Sequence, residues 1–294
     1  MVLMQKAVTP GLSHAYLTVG YDRVSGFAVR AADVEFASTP ALLYGAHGLA
    51  FEGTPFDPDA EWVDILQFES SPRLQFEPVR EHLLPLWWLR HTRLTPGAEL
   101  IRVFRDRSRV TLARYGDVAT GWIPTTMPTN LHRRLPLSRC VGPVAKYHGS
   151  YVEADVIFGG QSVILALANR PLNDTGFMPT PGGRWRKVVP RHEVEEIFEL
   201  VITARWGGLA VRVVDQWEDA AGVVAFKISS IGHDEQLARS LGMDHIEAGV
   251  YEATVAAADL TDLTTTQLVP EEWRQQVAAP QRTSWAARTA EMAG

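Results

Sequence analysis

Histidines beside carboxylates are the residues of this chain whose spacing suits proton transfer or metal binding. His192-Glu193 with Glu196 sets an imidazole and an acid one helical turn apart, as an acid–base or metal pair on one face requires. His233-Asp234 is a second pair, in which the acid either orients a histidine base or caps a helix starting at Glu235. His192, Glu193, His233 and Asp234 are therefore the catalytic candidates, although an internal repeat puts Ala258 where His192 stands. There is no G-x-S-x-G elbow, Walker loop, G-x-G-x-x-G after a strand, or H-E-x-x-H. Cys140, beside Arg139, is the single cysteine, so neither an intramolecular disulfide nor a multi-cysteine zinc site is expected. No cofactor and no metal are expected.

Binding chemistry is better supplied than catalysis. The chain has nine tryptophans, several beside arginine near turns, and that pair of residue types dominates binding hot spots. The expected contact residues are Arg184, Arg186 and Lys187 around Trp185, together with Trp87 and Trp88. Strand alternation puts Arg184 and Arg186 on one side, with Trp185 and Lys187 on the other. The two arginines are expected to face outward, toward carboxylates or phosphates of a partner, so that removing both leaves stability little changed.

The elements that must position these residues follow from the repeat. GRWRKVVPRHEVEEI, from Gly183 to Ile197, recurs ungapped as GVYEATVAAADLTDL, from Gly249 to Leu263. Trp185 meets Tyr251, Val189 meets Val255, and Glu193 and Glu196 meet Asp259 and Asp262, which predicts a strand followed by a capped acidic turn. A fainter echo runs through Phe27, Val29, Asp33 and Val34. The fold class expected is α+β and β-rich: small antiparallel sheets with short helices, including a tandem duplicated β-hairpin, strand and acidic-turn module in the C-terminal half.

Five segments are expected. Residues 1–85 form an N-terminal α+β unit, with a hairpin and a short acidic turn over 16–36 and a helix opened by Thr39-Pro40 and stopped at Gly48. Residues 86–123 form a small antiparallel unit whose two strands meet at Arg105-Asp106-Arg107-Ser108. Residues 124–145, rich in Pro, Thr and Arg, are an interdomain linker or extended arm. Residues 146–269 hold the repeats, about 148–203 and 206–269, and residues 270–294 form a C-terminal tail of short helices.

A hydrophobic share of 46% with 21% charged residues fits a folded core, and 34 acids against 28 Lys and Arg, net −6, argue against general nucleic-acid binding. The sequence lacks a signal peptide and any apolar run long enough for a bilayer, so a cytoplasmic protein with no membrane attachment is expected. Heavy use of Arg over Lys suits a GC-rich bacterial genome. Two functions from different classes remain: a non-enzymatic protein-binding protein, immunity-type or adaptor, and a hydrolase or transferase working with His and carboxylates in a cleft between modules. Oligomeric state is not legible.

Overall fold

The computed structural model describes residues 2–49, 57, 59–69, 74–77, 84–125, 136–172, 176–218, 222–232, 234–269 and 273. In the first part, strands β1 (Leu3–Val8), β2 (Arg23–Arg30), β3 (Trp62–Glu69), β4 (Leu74–Glu77), β5 (Leu86–Arg93), β6 (Glu99–Phe104), β7 (Arg109–Tyr115) and β8 (Trp122–Pro124) form one antiparallel sheet, in the order β4-β5-β2-β1-β3-β6-β7-β8. The boundary expected at residue 85 thus falls inside a single sheet. Alternate residues feed two cores: Met4, Val8, Leu66 and Leu100 on one face, Ala7, Val63, Ile65 and Val103 on the other.

Two short helices are attached to this sheet. In both α1 (Pro10–Thr18) and α2 (Pro40–Ala46), a threonine caps the first turn and a proline follows it. Thr9 accepts from the Leu12 amide at 3.2 Å and Thr39 from the Leu42 amide at 3.4 Å. The hairpin expected over 16–36 is not formed, since residues 16–18 end α1 and only Arg23–Arg30 is extended, but the acidic turn is present as the 3-10 turn Ala31–Val34 with Asp33 in it. The β6–β7 turn falls where expected, with Arg107 at φ 72° and Phe104 N donating to Ser108 O at 2.9 Å.

The second sheet comprises β9 (Pro143–Tyr147), β10 (Ser150–Ile157), β11 (Ser162–Leu167), β12 (Met178–Pro179), β13 (Trp185–Pro190), β14 (Glu196–Trp206), β15 (Leu209–Glu218), β16 (Val224–Ser230), β17 (Asp244–Glu247), β18 (Val250–Ala256) and β19 (Thr261–Leu268), with helix α3 (Glu235–Ser240) between β16 and β17. Strands β9, β10, β11 and β13 form a meander, after which β14 returns to pair with β9. Strands β14, β15, β16 and β18 form another, after which β19 returns to pair with β14. Trp185 and Tyr251 each lie on the strand before a 3-10 turn, Arg191–Glu193 or Ala257–Asp259, and a new strand follows each turn.

Both meanders open with a tight turn in which both central residues have positive φ: His148-Gly149 at 49° and 75°, Gly207-Gly208 at 54° and 86°. That geometry matches strand twist and favours glycine. The described part of the expected linker is packed rather than extended: Ser138, Cys140 and Val141 are buried, and Arg93 donates to Ser138 O and Val141 O at 3.4 and 2.9 Å. Burial also raises the Cys140 thiol pKa, so the neighbouring Arg139 does not activate it. Of the tail, Trp273 is described and packs in the β9–β10–β13 core; the expected helices there lie outside the described residues.

Candidate functional site

The expected arginine patch turns inward. Arg184 is buried and donates to Val118 O at 2.7 Å, while Arg186 Nε donates to Asp117 Oδ2 at 2.8 Å. Alternation put the two on one side, as expected, but that side is covered by the 117–120 loop between β7 and β8. Asp117 is itself buried and also accepts from the Ala119 and Thr120 amides at 2.9 and 2.8 Å. The expectation that both arginines face a partner is corrected: Arg184 satisfies the chain's own carbonyl, and Arg186 its own carboxylate. Lys187 Nζ donates to the Tyr147 hydroxyl at 2.8 Å.

The tryptophan pair is divided between the two faces of β5. Trp88 is buried against Phe27, ring centroids 5.0 Å apart and edge-on, and lies where a Cβ added at Gly249 would come within 3.2 Å of its ring. Trp87 is half-buried with the Arg30 guanidinium 5.6 Å from its ring. Among the catalytic candidates, His192 and Glu193 are exposed on the 3-10 turn after β13, and Asp234 Oδ1 accepts from Leu237 N at 2.9 Å as the cap of α3. His233 lies outside the described residues. The strand before His192 and Glu193, β13, and the strand before Asp234, β16, are separated by five others in the sheet order. Among the described residues no group of three or more His, Cys, Asp or Glu has the arrangement to hold a metal ion, and no helix is long and apolar enough to cross a membrane.

Buried charge concentrates where the two sheets meet. Lys6 pairs with Glu247 at 2.5 Å, Arg23 with Asp215 at 2.6 Å and Arg212 with Glu199 at 3.0 Å, and Arg212 also donates to His91 O. His91 Nε2 lies 3.2 Å from the Tyr21 hydroxyl and 3.8 Å from Glu252, which Lys227 approaches to 2.7 Å. Burial, then the charges of Arg23, Arg212, Lys227 and Lys6, hold the His91 pKa well below the usual histidine range. Burial also pushes Asp155 up to about 7, against the opposing pull of Arg93 and of the Val118 amide 2.6 Å away. These groups titrate unusually but are sealed between sheets; their chemistry is to fix how the two sheets meet.

Outward-facing aromatics stand at the far ends of the two opening hairpins. Phe158, in the β10–β11 turn, is 73% exposed and has φ 53°, followed by Gly159 at 62° and Gly160 at 92°. A bulky residue in the left-handed region is strained, and here no burial of its ring offsets the strain. Trp217, near the end of β15, is 41% exposed, with Val223 and Val224 also exposed at the start of the returning strand. Phe158 and Trp217 lie equally far along the chain from Gly149 and Gly208, the second residues of the two opening turns. Phe158 escaped sequence reasoning because Gly159-Gly160 reads as a hairpin tip; the signal was an aromatic placed directly before that turn. Comparison with protein-family models, curated proteins and solved structures found no match to this chain.

Proposed function

We propose that this chain is a non-enzymatic protein-binding protein, of immunity or adaptor type, that holds a partner polypeptide against the Phe158 and Trp217 hairpin ends. The observation that carries this reading is Phe158, a phenyl ring left in water on a strained turn. Strain of this kind costs about 1–3 kcal/mol and concentrates at functional sites. Rigid aromatics with few rotatable bonds make efficient anchors, because little conformational entropy is lost on contact. The same reading takes residues 143–268 as two copies of one module that share β14, which would supply two anchors from one sequence pattern. A single buried cysteine suits a cytoplasmic setting.

Photo-crosslinking tests it. A benzoylphenylalanine placed at 158 or 217 and irradiated in host cells should trap one and the same polypeptide, which a probe at exposed Arg90 should not trap. Equal labelling from all three positions, or different products from 158 and 217, would remove the hairpin ends as a binding surface.

A further inference from the structure

We propose that β19 is where two copies of this chain join, edge to edge and antiparallel, about a two-fold axis centred on Thr264 or Thr265. All eight residues of Thr261–Leu268 are exposed, and among the described residues the strand pairs with β14 and nothing else. One edge of β19 therefore presents a row of backbone donors and acceptors to solvent. Proteins usually blunt such an edge with lysine, proline or a covering segment. The strand TDLTTTQL has no proline and no lysine; its one charge, Asp262, sits at a bulge near its start, and from Thr264 to Leu268 the ladder is regular.

The occupant is indicated by how the sheet is built. Glu199 of β14 pairs with both Pro143 and Leu268, and Ile202 with both Val213 and Thr265. Hence β9 and β15 share one edge of β14, and β19 takes the other. The strand that returns to close the first meander is thus covered on its outer edge by the strand that closes the second. Among the described residues the series stops at β19, with nothing paired to that edge. Both edges of β14 are taken, so the closing strand still able to continue the series is β19 of another copy.

Self-pairing is compatible with the residues. Edge-facing backbone groups alternate along a strand, so an antiparallel two-fold must pass through a residue rather than between two. Centred on Thr265, Thr264 faces Thr266; centred on Thr264, that residue faces its own copy, and Asp262, with φ 51° at the register shift against β14, lies outside the regular ladder. Neither places acid against acid, and both put threonines opposite one another, a favourable cross-strand pairing. A single pair of strands buries less than a standard interface, so association is weak and concentration-dependent.

The test is sedimentation velocity on the full chain, with hydrogen exchange of residues 261–268, from about 1 to 500 μM, a range suited to weak association. The expected results are a concentration-dependent shift to twice the monomer mass and slowing of β19 amides by about tenfold or more at the upper end. Thr264→Lys/Thr266→Lys should stay monomeric with an unchanged circular dichroism spectrum, and should form a mixed dimer with Thr264→Glu/Thr266→Glu. That rescue separates edge repulsion from misfolding. A chain monomeric throughout, β19 protection independent of concentration, as residues 270–294 of the same chain on the edge would give, or an undisturbed dimer of the lysine variant would each overturn the proposal. It does not depend on the partner at Phe158 and Trp217.

Discussion

Arg184 and Arg186 look alike in sequence but differ in exposure, and their variants should separate. Arg184→Ala strips Val118 O of a charged donor in a buried site and should cost about 2–3 kcal/mol. Arg186→Ala should cost about 1 kcal/mol, because Asp117 keeps its amide donors and the side chain is one-third exposed. Urea unfolding of both variants checks the ranking, and equal small losses would restore the outward-facing expectation. Asp155 makes a pH prediction. Its folded pKa, about 7, lies above the unfolded value near 3.8, so the unfolded chain loses its proton first as pH rises. Its contribution is fully present below pH 4 and is lost as pH climbs through 7. Asp155→Asn keeps an acceptor for Val118 N and cannot ionise, so its stability relative to the parent should be higher at pH 8 than at pH 5. Unfolding curves at those two values with an identical difference would contradict this assignment.

At the scale of elements, tight turns with positive φ carry the pattern, and their glycines are not equivalent. A Cβ on Gly207 would sit 2.5 Å from Leu241, whereas at Gly208 it meets nothing within 4 Å. Gly208→Ala therefore bears backbone strain alone, about 1 kcal/mol, while Gly207→Ala adds a clash and should cost about 2 kcal/mol or more. Thermal midpoints for the pair read this directly; equal midpoints would mean that Leu241 simply moves aside. The β6–β7 hairpin and α2 were legible, because each depends on local residues: alternation, or Thr-Pro at a helix start. Helix α1 was hidden despite its Thr9-Pro10 start, since Tyr16-Leu17-Thr18 reads as extended and an apolar–polar alternation follows. Periodicity correctly put Arg184 and Arg186 on one side of β13. It carries no information about which distant loop covers that side.

At the scale of the whole molecule, two antiparallel sheets are locked by buried ion pairs, and chain close to both partners of these contacts is tightly packed. Cβ atoms added at Gly26 or Gly249 would press on Val250 or on the Trp88 and Phe27 rings. Long-range pairs such as Lys6–Glu247 and Arg23–Asp215 join residues far apart in sequence, which is why the composition announced a folded core but not its seam. Phe158 and Trp217 at the two hairpin ends are exposed, and the proposed function rests on what they touch. The most direct test is to measure the affinity of the polypeptide crosslinked from position 158 for the parent, Phe158→Ala, Trp217→Ala and the double variant, with a thermal midpoint for each. Loss of a hot-spot aromatic should weaken binding by about tenfold or more for each single change, with the midpoint held or raised, since neither ring supports the core. Unchanged affinity, or affinity lost only in step with the midpoint, would contradict the assignment of these aromatics to a partner.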